Sequence, residues 1–138
     1  MNNLHRLPEG TPIRLWKGSV TSGSLTLQVP YRMDVNEDKP FRTLKFYYKG
    51  ANQQIFEYKP SDAGTVCLRE IDITEAVEDT TMRIREARLL YNKSTKTYTF
   101  QSNQIQEIKH DFSENKITFA KNPTGVEPIE LTEIWGVI

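Results

Sequence analysis

The sequence predicts an all-β fold, an antiparallel β-sandwich or jelly roll of about eight to nine strands. Three observations carry that prediction. Apolar and polar residues alternate with a period of two in segment after segment, the spacing of a half-buried strand. Gly-, Pro-, Asn- and Ser-rich breakers separate those segments, and no amphipathic helices alternate with them, which excludes an α/β arrangement.

Residues 1–10 mix Asn, His, Arg, Pro and Gly with isolated leucines and read as an N-terminal arm; residues 11–138 read as a single domain. Within the domain, Ile13 and Leu15 alternate with Arg14 and Trp16 in a first short strand, ahead of a Ser- and Gly-rich turn over 18–23. Leu25, Leu27 and Val29 then alternate with Ser24, Thr26 and Gln28, and Leu44, Phe46 and Tyr48 alternate with Thr43, Lys45 and Tyr47. Pro30 and the charged run Asp34 to Pro40 turn the chain between them, so the two are expected as strands of one sheet. Phe56 and Tyr58 mark a hairpin partner for the Leu44 strand. Over Thr65 to Thr74 the inward set shifts from Val66 and Leu68 to Ile71 and Ile73, which predicts a bulge near Glu70.

Residues 75–92 carry both periods. A strand from Met82 to Tyr91 is favoured, because Thr80 and Thr81 are β-branched and the turn Asn92 to Lys96 leads into a partner; a helix starting near Thr74 is the alternative. Tyr98, Phe100, Ile105 and Ile108 form the next buried set, and Ile117 and Phe119 alternate after a turn at 112–115. Asn122 to Gly125 is a turn, and Ile129 to Ile138 closes the fold.

At 138 residues and 16.0 kDa the chain can bury a core without a disulfide or metal. The 18 Lys and Arg balance 18 Asp and Glu, so no global field draws it to nucleic acid or anionic lipid, and neither nucleic-acid binding nor membrane insertion is expected. No apolar run approaches the ~20 residues of a membrane span, and the opening residues lack a secretion signal. Synthesis and folding in the cytoplasm are expected, with Cys67, the single cysteine, as a core residue.

Catalytic chemistry finds little to build on. Only His5 and His110 could serve as an imidazole base; Asp111 follows His110, but neighbours on a strand point to opposite faces. Ser19, Ser22 and Ser24 lie in a turn without the strand-to-helix setting of a nucleophile elbow. The acidic residues Glu70, Asp72, Glu75, Glu78 and Asp79 lack the loop that converges oxygens on calcium and read as a solvated face. Arg83, Arg85 and Arg88 read as a polar strand face paired with acids. No enzyme activity, cofactor or metal is expected.

Leu15, Trp16 and Gly18, then Gly23, Leu25 and Leu27, then Leu44, Phe46 and Tyr48, and finally Ile134, Trp135, Gly136 and Ile138 follow a recurrent order. That order resembles a β-rich module of tailed-bacteriophage virion proteins, common near the C-terminus of tail-fibre and baseplate chains. The resemblance covers the two ends of the chain. It implies a virion structural protein that assembles with other virion subunits, as a homo-oligomer (trimer or hexamer), after folding in the host cytoplasm. Without the shaft of a complete fibre, it points to a baseplate, tail-tip or head-decoration subunit. Host-surface saccharide contact would fall to Trp16, Tyr31, Tyr47 and Trp135, which are also suited to core or subunit contacts. Two alternatives stand beside it: a stand-alone carbohydrate-binding or adhesion module, and a small inhibitor of a host defence protein.

Overall fold

The computed structural model describes residues 8–28, 41–59 and 64–138. Among them every regular element is a strand: β1 (Pro12–Val20), β2 (Ser24–Thr26), β3 (Thr43–Lys49), β4 (Gln53–Tyr58), β5 (Thr65–Glu75), β6 (Asp79–Asn92), β7 (Thr97–Asp111), β8 (Lys116–Lys121) and β9 (Glu130–Val137). They form two antiparallel sheets, β1-β9-β3-β4 and β2-β7-β6-β5, with β8 also on β7. The all-β sandwich read from the sequence is the fold. Residues 75–92 hold no helix: β6 pairs with β5 and β7 along its whole length, and these partners outweigh the local helical spacing.

Each sheet turns an alternating apolar set inward. Leu44, Phe46 and Tyr48 of β3 and Leu131 and Ile134 of β9 face Val66, Leu68, Ala87, Leu89 and Tyr98 of the second sheet. The Phe46 and Tyr98 rings meet edge to face with centroids 5.3 Å apart. Each such fully buried side chain contributes about 1.5–3 kcal/mol relative to exposure. Gly136 completes the packing, because the Phe41 ring lies where its Cβ would project.

Two expectations fail on pairing. The strands at Leu25 and Leu44 belong to different sheets, since β2 pairs with β7 while β3 lies between β9 and β4. Period two shows that a segment is a strand and says nothing of its neighbour. The bulge near Glu70 is also absent: β5 runs in unbroken register with β6 from Thr65↔Leu90 to Glu75↔Thr80. The register shifts lie elsewhere: in β1 against β9 around Leu15 and again between Lys17 and Val20, in β9 against β3 at Thr132, and in β7 against β6 at Gln101. The bulge in β7 keeps Tyr98 and Phe100 on the same side as Asn103 and Ile105.

One long side of the sandwich is closed and the other open. Gln28 N–H donates to Leu15 O, joining the chain after β2 to β1, whereas β4 and β5 on the far side are edge strands. Along the strand direction the sheets are unequal. The first ends at the turn 50–52, which rests on Glu70; β5, β6, β7 and β8 run on past it as a four-stranded overhang, here termed the blade.

Candidate functional site

The blade starts at a buried ionic cluster that the sequence reads as surface. Glu70 and Arg85 are opposite each other on β5 and β6 and are only 5% and 4% exposed. Arg85 Nη1 donates to Glu70 Oε1 at 3.1 Å and to Asp72 Oδ1, while its Nε donates to the Glu127 carbonyl at 2.9 Å. The Glu70 carboxylate also accepts from Ala51 N–H (2.7 Å), Asn52 N–H (2.9 Å) and the Gln54 amide (3.3 Å). One carboxylate thus holds the β3–β4 turn against the second sheet. A Cβ on Gly50 would overlap that carboxylate, so glycine is required by close approach. The expected solvated acidic face and polar arginine face therefore fail at Glu70 and Arg85. Unpaired, either charge would be costly to bury; together with Asp72 and backbone partners they are satisfied.

Beyond this row the two faces of sheet β5–β8 exchange character. On the face that continues the sandwich interior, Asp72, Arg83 and Glu107 lie in one row, with Arg83 Nε 2.9 Å from Glu107 Oε2, followed by Thr74, Thr81, Lys109 and Thr118. Lys109 Nζ lies 3.4 Å from Asp79. The opposite, outer face carries Ile71 and Ile84 in one row and Ile73, Met82, Ile108 and Phe119 in the next, straight across four strands. Ile71 is 64% exposed, Ile73 58% and Phe119 77%. Ile117 adds to this face at the tip, where the exposed Val77 and Phe112 lie in the turns. The result is a continuous apolar surface on a sheet whose strands obey one register. Contiguous exposed apolar area of this kind marks an interaction surface.

Its borders are charged. Toward the sandwich, Glu86 sits between Arg69 (2.8 Å) and Arg88 (2.9 Å), with Lys121 one row nearer the tip. The Arg88 and Arg69 hydrogen bonds hold the Glu86 carboxyl below its usual range, against a smaller opposing effect of burial. At the tip, Glu75 lies on the outer face opposite Thr80, and Glu78 and Glu114 lie in the turns. His110 stands on the outer face beside Ile117, edge to face with Phe112 at 5.0 Å and with Nε2 3.1 Å from Asn115 Oδ1. Asp111 points to the other face and caps the 112–115 turn, accepting from Ser113 N–H and Oγ–H and from Glu114 N–H, contacts that lower its pKa. The adjacent His and Asp are thus on different faces, as alternation requires.

The sequence-predicted aromatic residues do not converge. Trp135 and Tyr47 share the outer face of the first sheet, Trp135 directly across from Lys45 and Arg14, and Tyr47 across from Glu133 and Ile55. Trp16 is carried by the β1 bulge toward the core, against which it packs, with its ring over Gly18. Tyr31 lies outside the described residues, as do His5, Val29 and the run 34–40. Cys67 is half-buried rather than a core residue. It borders an open cleft of about 380 Å3 between edge strands β4 and β5, lined also by Tyr48, Phe56, Tyr58, Thr65, Val66 and Arg69. Tyr48 Oη–H donates to the Arg69 carbonyl across that seam at 2.6 Å, and burial raises its pKa.

The sequence does carry a signal for the blade. The in-phase switch of the apolar set after Leu68 is visible as Ile71 and Ile73, but it can be met either by a bulge that keeps them inside or by strand continuation that turns them out. Arg85 opposite Glu70 favours the second, and that pairing is a fact of register. Among the described residues no group of three or more His, Cys, Asp or Glu is placed to hold a metal ion. Compared with protein-family models, with curated proteins and with solved structures, the chain matches none.

Proposed function

We propose that the protein is a non-enzymatic structural subunit of a tailed-bacteriophage virion, of baseplate, tail-tip, fibre or head-decoration type, that works by docking to other virion subunits. The observation that carries the assembly reading is the apolar outer face of the blade, a four-stranded surface with charged borders. Exposed apolar sheet faces with charged rims suit subunit packing, whereas small-molecule chemistry calls for a concave pocket with convergent polar groups. The virion assignment comes from the motif order at the two ends of the chain. Mass spectrometry of purified particles from a phage encoding this sequence is the test: the chain should be present at a fixed stoichiometry. Particles that assemble and infect without it would refute the proposal.

A second reading, a stand-alone carbohydrate-binding or adhesion module, is favoured by one observation. Trp135 and Tyr47 share an outer face with Lys45, Arg14 and Glu133, an aromatic and polar mixture suited to sugar rings. Submillimolar binding on a glycan array by the isolated chain, lost in Trp135→Ala, would promote it over the first.

A further inference from the structure

We infer that the blade's outer face binds a second copy of this chain, face to face and with the strands antiparallel, about a two-fold axis lying across the strands between the Ile71 and Ile73 rows. The inference rests on the assembly reading above and names the partner for that surface.

Among the described residues, none covers the face. Residues 1–7, 29–40 and 60–63 join the described chain at Pro8, Gln28, Phe41, Lys59 and Gly64. These points lie at the other pole: Leu27 N–H bonds Lys96 O in the β6–β7 turn, Gly64 O accepts from Tyr91 N–H, and Arg42 N–H and Gly10 N–H bond the carbonyls of Val137 and Ile138. From Leu90 to Met82 along β6 is about 27 Å.

Charge and register select the second copy and its orientation. On the outer face, acid lies at the tip (Glu75) and base toward the sandwich (Arg69), each two residues beyond the apolar pair Ile71 and Ile73 on the same strand. A two-fold axis across the strands sets Ile73 over the partner's Ile71, Met82 over its Ile84, and Glu75 over its Arg69, twice by symmetry. The other in-plane axis, along the strands, would bring the acidic tips together; each axis sets one apolar residue over the partner's Lys121, Phe119 in the first and Ile71 in the second, so the charges at the two ends of the face decide between them. Stacked sheets lie about 10 Å apart at about −30°, which these side chains can span. Four strands by four rows, Arg69 to Glu75, give a footprint of roughly 500 Å2 per copy, about 1,000 Å2 in all, the size of a weak specific interface. A dimer that is stable only at elevated concentration is the expectation. A two-fold contact of this type closes a dimer and also occurs three times in a hexamer of dihedral symmetry.

Sedimentation of the full chain across concentrations up to about 100 µM, a range suited to an interface of this size, tests the inference. A dimer, or a hexamer that dissociates through dimers, is expected. Ile73→Glu with Phe119→Glu should leave a folded monomer, checked by an unchanged circular dichroism spectrum. Glu75→Arg should weaken association roughly tenfold because both symmetric pairs turn repulsive, and adding Arg69→Glu in the same chain should restore it. A chain that stays monomeric throughout, or an oligomer indifferent to all of these substitutions, overturns the inference. A strict monomer still found at fixed stoichiometry in particles would leave the virion proposal standing while removing this one, so the two failures are distinguishable.

Discussion

The two ends of sheet β2-β7-β6-β5 use the same strands in opposite ways. Near the β6–β7 turn, Val66, Leu68, Ala87 and Leu89 point inward to the first sheet, and the outward residues are polar apart from Cys67 and Leu90. Past Glu70 and Arg85 the inward residues are Asp72, Arg83 and Glu107, and the outward ones are Ile71, Ile73, Met82 and Ile84. Register between β5 and β6 is continuous across the change. The apolar set has moved to the other side of β5 and β6 with no break in their pairing, at the point where the first sheet stops. A strand's hydrophobic face is fixed by what covers it, and a change of face in mid-strand marks a change of partner.

The pivot between the two regions is the most sensitive point. Glu70→Ala leaves Arg85 buried with Asp72 as its one carboxylate and releases the backbone of Ala51 and Asn52; removing one member of such a buried pair costs about 3–5 kcal/mol. Chemical denaturation should show a loss of that size. A loss below about 1 kcal/mol, the scale of an exposed pair, would mean the row is solvated and the boundary misplaced.

Next in size is the contrast between two apolar residues on one strand. Leu68→Ala should cost about 2–5 kcal/mol, because it empties a filled core position. Ile73→Ala, measured on dilute monomer, should change stability by no more than about 0.5 kcal/mol. Equal losses at both positions would show that something of the same chain covers the blade. Loss at Ile73 only when the protein is concentrated would sharpen the comparison into an interface.

Much of this was legible in the residues themselves. Alternation located the strands around Leu44, Phe56, Val66, Ile117 and Ile134 and the turn at Asn122, whose positive φ of 49° asparagine tolerates. Pairing was legible across hairpins, as for Phe56 and Tyr58 with the Leu44 strand, but not beyond them, since β2 and β3 are neighbours in sequence and belong to different sheets. Nor was the buried salt bridge, because Glu70 and Arg85 acquire each other only through the β5–β6 register. Asn103 shows the same limit: an unremarkable polar residue in sequence, it donates to the carbonyls of Thr21 and Ile129 and accepts from Ile129 N–H, tying β7 to the β1–β2 turn and to the approach of β9. Of the aromatic candidates, only Tyr47 and Trp135 share a face, a relation set by β3 pairing with β9.

The core end has a pH signature on the alkaline side. Burial raises the pKa of Tyr98, and to a lesser degree that of Tyr91 beside it, whose ring centroid is 4.7 Å away. An unfolded chain releases these phenol protons near pH 10 while the folded one retains them, so the unfolded state binds fewer protons and stability falls as pH rises above that point. The slope is at most about 1.4 kcal/mol per pH unit for each group. Denaturation midpoints between about pH 9 and 11 should decline, and Tyr98→Phe should flatten the decline. A decline unchanged by that substitution would place the alkaline sensitivity elsewhere.

The smallest effect belongs to the border of the blade. Glu86 is held ionised by Arg88 and Arg69, so its folded pKa lies below its unfolded value. The stability this supplies is complete above the ordinary glutamate pKa of about 4.3 and is lost as pH falls through the lower folded value. Because the carboxylate is partly exposed, the amount is under about 1 kcal/mol, and salt should diminish it. Glu86→Gln should therefore remove a small part of the acid-side loss and leave the alkaline limb unchanged. If it removed most of the acid sensitivity instead, the Arg69–Glu86–Arg88 group would be a structural hinge comparable to the Glu70 pivot. The blade would then be held from both of its faces, and the asymmetry between the two ends of the sheet would rest on covering alone.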